Sequence, residues 1–222
     1  MLGLRQRPKI FVIGFNRCGT TALHVLFQKN GIAALHYHGP KRKFIIPQVL
    51  ALNYSLGRPL LSGMNRWNAF SDLGLATQKL VFEGGRLFRE LHAEYEDAYF
   101  ILNTRPVEKW IASRLAHMDG RYTRNFAECA GVAEHKVAQL WRLQWDAHVD
   151  DVRKYFAGHN RFLEFDIECD QPDAVKSLLA ADYDINVIHW RKRNATAISE
   201  SGSATSTPLT GETDPITKTP AG

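Results

Sequence analysis

The chain has 222 residues, 45% of them hydrophobic, with a formal net charge of +5. That length and composition suffice for one domain with a real core plus a short tail. Its three cysteines, Cys18, Cys129 and Cys169, show no C-x-x-C spacing and argue against a disulfide framework or a zinc site.

Ile10 to Ile13 is a β-branched apolar run suited to a strand covered on both faces. Gly14 and Gly19 follow, five residues apart, and Thr20 and Thr21 come next. That is the spacing of a P-loop, with Thr20 in the slot where the lysine usually stands. Gly14 allows a sharp exit from the strand, and Gly19 lets backbone approach a ligand closely. Thr20 and Thr21 open a helix whose free N–H groups and positive dipole end attract anions. Ala22, Leu23, Val25, Leu26 and Phe27 bury that helix, and Gly31 stops it. Arg17, inside the loop, is placed to clamp a phosphate or sulfate oxygen. Cys18 is either an oxidisable loop thiol or a small space-filler. The bland alternative for the whole segment is a strand–turn–helix whose glycines serve only the turn.

Further along, Ile32 to Leu35 reads as a second parallel strand, with His36 and His38 at its carboxyl end, where ligands of open α/β sheets bind. Pro47 to Leu56 reads as a helix. Arg86 to Tyr95 is amphipathic, with Leu87, Phe88, Leu91 and Tyr95 inward. Tyr99 to Asn103 is another buried strand, leading into Thr104-Arg105-Pro106 and a helix through Trp110 and Leu115, with Pro106 at its first position. Val132 to Phe156 has helical spacing. Its Trp141 and Trp145, four apart, are either core or a wall for an acceptor or adenine ring. Arg161 to Phe165 reads as a strand and Pro172 to Ala181 as a helix. This succession predicts an α/β, P-loop-type three-layer fold with a central parallel sheet flanked by helices. Residues 1–194 form that domain.

Residues 195–222 are rich in Ser, Thr, Pro and Gly and read as a disordered tail. The tail holds Lys218 against Glu200, Glu212 and Asp214, so the body is more basic than the whole chain. A basic body suits an anionic donor. Nucleic acid is not expected, because Lys41-Arg42-Lys43 and Arg191-Lys192-Arg193 are short runs and no zinc-finger, RNA-binding or aromatic-basic signature accompanies them.

The loop Asn16-Arg17-Cys18-Gly19-Thr20-Thr21 resembles that of the PAPS-dependent sulfotransferases (PAPS is 3′-phosphoadenosine 5′-phosphosulfate). In that family the loop commonly reads P-[KR]-[ST]-G-T-T and binds the 5′-phosphosulfate end of the donor. Asn16, Cys18 and Ala22 depart from the pattern, while Arg17 and the G-T-T core match it. The family also ends a strand in an arginine and places a serine eight residues later, and the two hold the donor's 3′-phosphate. Arg105 and Ser113 have that spacing. The resemblance implies PAPS as co-substrate, a small-molecule or glycan acceptor, and no need for a metal.

In cytosolic members a histidine in a short strand between the two phosphate sites takes the acceptor's proton. Here that interval contains Ala69-Phe70-Ser71-Asp72-Leu73, and some relatives use an acidic residue there. Asp72 is the expected base, with Glu83, His36 and His38 as alternatives. Asp72 as a turn or helix cap is the structural rival. Golgi-type members usually carry a membrane anchor. No apolar stretch of about 20 residues precedes Lys9 or follows it, so a cytoplasmic enzyme without membrane insertion is expected. Two other functions stay open on sequence: a small-molecule or nucleotide kinase, opposed by Thr20 in the lysine slot, and a non-catalytic nucleotide-binding protein of the same fold.

Overall fold

The computed structural model describes residues 7–191. The expected tail, and Lys192 and Arg193 of the last basic run, lie outside them.

Five strands form one sheet: β1 (Ile10–Val12), β2 (Ala34–His36), β3 (Ala69–Ser71), β6 (Tyr99–Thr104) and β7 (Phe162–Asp166). Their spatial order is β2-β3-β1-β6-β7, and every pairing is parallel. Two three-residue strands, β4 (Gly74–Ala76) and β5 (Val81–Glu83), make a separate antiparallel hairpin directly after β3.

Side-chain alternation divides the core in two. Ile10 and Val12 of β1 and Tyr99 and Ile101 of β6 face one side. There they meet Leu23, Leu26 and Phe27 of α1 (Thr20–Lys29) and Val175 and Leu179 of α7 (Asp173–Leu179). Phe11, Phe100 and Leu102 face the other side. That side is covered by α2 (Ile46–Ser55), α3 (Phe88–Glu94), α4 (Val107–Leu115), α5 (Arg121–Ala130) and the long α6 (Glu134–Tyr155). The result is the three-layer α/β fold that the order of elements predicts. Trp141 and Trp145 are core: both are buried, and Trp141 packs edge-on against Phe126.

Two expectations need adjusting. The helix expected from Arg86 begins as a 3-10 turn at Gly84–Leu87 and becomes α-helical at Phe88. Gly85 explains the tight start. A Cβ there would stand 2.3 Å from the Ile13 carbonyl oxygen, so this turn is pressed onto the end of β1. The second strand begins at Ala34 and runs through His36, the residues in parallel register with Ala69, Phe70 and Ser71 of β3.

The five strands of the main sheet being parallel, their carboxyl ends lie along one edge. The loop after β1, His36, Asp72, Arg105 and the segment after β7 therefore converge there. Among the described residues, no helix is long and apolar enough to cross a membrane.

Candidate active site

The loop between β1 and α1 is held in shape from outside. Asn103, fully buried near the end of β6, accepts from the Gly14 amide (2.8 Å) and donates to the carbonyls of Cys18 (2.8 Å) and Phe15 (3.3 Å). Trp110 on α4 donates its indole N–H to the Asn16 carbonyl at 3.0 Å. The Phe15 ring packs against Trp110, Trp145 and His148. His148 on α6 gives its Nε2 proton to the Ile13 carbonyl at 2.8 Å, and burial pushes its pKa down to about 4, so it stays neutral.

Within the loop, Gly19 sits at φ 74° as the residue before α1, and Thr20 is the first helical residue. The amides of Gly19, Thr20 and Thr21 are thus the open N-terminus of a buried helix, suited to an anion. Arg17 also takes a positive φ, 67°, which costs a non-glycine residue energy and is characteristic of sites held by their surroundings. Its Nε donates to Ser113 Oγ at 3.1 Å. Cys18 is wholly buried and burial pushes its thiol up, so the side chain fills space and is not an exposed reactive group.

Arg105 lies just past β6. Its Nη1 donates to the Arg17 carbonyl (3.1 Å), and its Nη2 pairs with Glu168 Oε1 (2.6 Å). Among the described residues, its buried Nε has no hydrogen-bond partner, and neither does Asn16 Oδ1. Arg17, Arg105 and Ser113 thus form one contiguous polar group, although Arg105 and Ser113 lie 88 and 96 residues along the chain from Arg17.

Asp72 follows β3 at φ 56°, a left-handed conformation that aspartate tolerates better than most residues. Its side chain is 19% exposed, with Oδ1 enclosed and without a hydrogen-bond partner among the described residues. Burial raises its pKa to about 7; the nearby Glu83 carboxylate adds to that rise, while Arg114 and Arg17 oppose it. Its Oδ2 lies 3.6 Å from His36 Nε2. Ser71 spends its hydroxyl proton on the Leu35 carbonyl (3.3 Å), so it accepts from His36 Nδ1 (3.1 Å). That tautomer leaves His36 Nε2 to accept from Thr21 Oγ1 at 3.3 Å. Burial first, then the neighbouring His24 and His38, push His36 down to about 4. A histidine neutral at physiological pH, with both nitrogens engaged, orients its neighbours better than it takes protons. His38 lies beyond it, with a buried Nδ1 lacking a hydrogen-bond partner among the described residues.

Residues 9–161 match the family described as a sulfotransferase domain. The chain belongs to that family. No curated protein matches the chain. Membership supports sulfuryl transfer as the class of activity of this sulfotransferase domain.

Sequence reasoning overlooked four residues of this site. Asn103 had a signal: it is the one polar residue in the strand YFILN. Arg114 stands beside Ser113 in the helix, and nothing in its sequence neighbourhood marks it for the site. It is in fact fully buried and pairs with Glu83. That pairing occupies a carboxylate that sequence left open as the base. Glu168 and His148 gave no signal, because their roles depend on contacts across 63 and 135 residues of chain.

Proposed function

We propose that this protein moves the sulfuryl group of PAPS to the hydroxyl or amine of a small-molecule or glycan acceptor. The observation that carries the reading is the meeting of Arg17, the Gly19–Thr21 helix start and Asp72 along one edge of the sheet. The anion site and a carboxylate with a raised pKa of about 7 stand side by side there.

In the proposed step the acceptor oxygen or nitrogen bonds to sulfur as the bond from sulfur to the donor's phosphate oxygen breaks. The acceptor's proton passes to Asp72. A base with a pKa near the working pH is well matched to that transfer. Negative charge grows on the departing phosphate oxygen, where Arg17 and the helix-start amides are disposed to balance it. Arg105 and Ser113 would hold the 3′-phosphate and so set the donor's register. The buried, unpaired Nε of Arg105 supports that assignment, since a phosphate oxygen would supply the partner it lacks. Arginine and backbone dipoles provide the positive field, so the reading requires no metal.

Replacing Arg17 by alanine tests the proposal. Turnover of PAPS with a panel of phenolic and sugar acceptors should fall by roughly 10²- to 10³-fold. Undiminished turnover would remove Arg17 from the reaction.

A further inference from the structure

Beneath Asp72 lies a buried ion pair. Glu83 ends β5 directly opposite Gly74, and the Gly84 amide donates to the Leu73 carbonyl at 2.9 Å. The Glu83 carboxylate is therefore fastened to the residues that follow Asp72. It lies so close to that backbone that a Cβ on Gly74 would stand 2.6 Å from its Oε2. Its other neighbour is Arg114 of α4, whose Nη2 pairs with Glu83 Oε1 and donates to Tyr122 Oη at 2.9 Å.

Arg114 is 0% exposed. Its guanidinium carbon sits 4.7–5.5 Å from the ring centres of Trp141, Trp110, Tyr122 and Phe15. Inside this cage of rings, Nε and Nη1 have no hydrogen-bond partner among the described residues. Burial works against its charge, but Glu83 and Tyr122 outweigh that and hold the guanidinium protonated. A buried ion pair is a poor way to stabilise a core, and apolar residues of similar volume often do as well or better. An arginine with two orphaned donors in an aromatic cage therefore calls for a reason other than stability.

We propose that Glu83 and Arg114 are positioning residues for the reaction: their ion pair fixes a second carboxylate beside Asp72 and thereby sets how readily Asp72 takes and releases a proton. The inference rests on Asp72 being the base. The other groups around Asp72 are Arg17 from the loop after β1, His36 and Tyr37 at the end of β2, and Tyr122 from α5. Of the charged influences, Glu83 is the largest, and it disfavours the ionised form. Arg114 pulls the other way and limits the effect. Removing the Glu83 charge alone should let Asp72 ionise at lower pH. Removing both should do the same to a smaller extent.

The test is a titration of protein carrying carboxyl-labelled aspartate, followed by carbon-13 NMR. The Asp72 resonance is identified by its loss in Asp72→Asn. Glu83→Gln should lower its midpoint by about one pH unit. The double variant Glu83→Gln with Arg114→Met leaves no unpaired buried charge, and should lower the midpoint less. It decides the matter if the single variant does not fold. An unmoved midpoint in the folded variants overturns the inference. Release of adenosine 3′,5′-bisphosphate from PAPS by Asp72→Asn, with the same acceptor panel, separates the two claims. Wild-type release would sink the base assignment. Lost release with an unmoved midpoint would sink only the role of the ion pair.

Discussion

The raised pKa that would suit Asp72 as the proposed base also makes the stability of the fold depend on pH. Its folded pKa is raised to about 7 from an ordinary 3.8, so between those values the folded chain binds a proton that the unfolded chain has released. Its contribution to stability is present below about pH 4 and is lost as pH rises through 7. Asparagine stays neutral throughout. Asp72→Asn should therefore gain on the parent protein in melting temperature, by several degrees, as pH goes from 4 to 8. Parallel curves would mean that Asp72 ionises normally. Glu168 makes a second residue-scale prediction. It occupies Arg105 at 2.6 Å and also reaches Lys109 at 3.3 Å. In the proposed site it competes with the donor's 3′-phosphate for that guanidinium. Glu168→Gln should tighten binding of adenosine 3′,5′-bisphosphate a few-fold in calorimetry, and weaker binding would place Arg105 elsewhere in the mechanism.

The loop between β1 and α1 owes its shape to other elements. β6 supplies Asn103, α4 supplies Trp110, and α6 supplies His148. Asn103→Leu would leave the Gly14 amide and the Cys18 carbonyl unpaired in the interior, at about 1–3 kcal/mol for each buried group. Chemical denaturation should show that loss, and nucleotide affinity should fall with it. A variant of unchanged stability would mean that the loop holds its own shape. Gly85→Ala tests the same support from the 3-10 turn. Its new methyl would meet backbone at 2.3 Å, and backbone yields less readily than a side-chain tip. The melting temperature should drop clearly, whereas an unchanged value would show that the turn can move away from β1.

At the scale of the whole molecule, the sequence was informative wherever the signal was local. Gly14 to Thr21 announced the loop, the apolar run at Tyr99 announced β6, and α6 could be read from its period. The placement of β3 between β1 and β2, the hairpin after Asp72, and the Glu83–Arg114 pair all depend on segments far apart in the chain. Periodicity carries no information about such pairings, so Arg114 drew no notice and Glu83 stood as a possible base. The fold joins these distant segments along one edge of the sheet, where the proposed site takes a 3′-phosphorylated sulfate donor. Calorimetric titration with adenosine 3′,5′-bisphosphate and with ADP, each without magnesium, and with ATP plus magnesium, tests that claim most directly. The bisphosphate should bind at least about tenfold tighter than ADP, a difference of roughly 1.4 kcal/mol, and should need no metal. Equal binding of the two, or preference for magnesium-bound ATP, would contradict it.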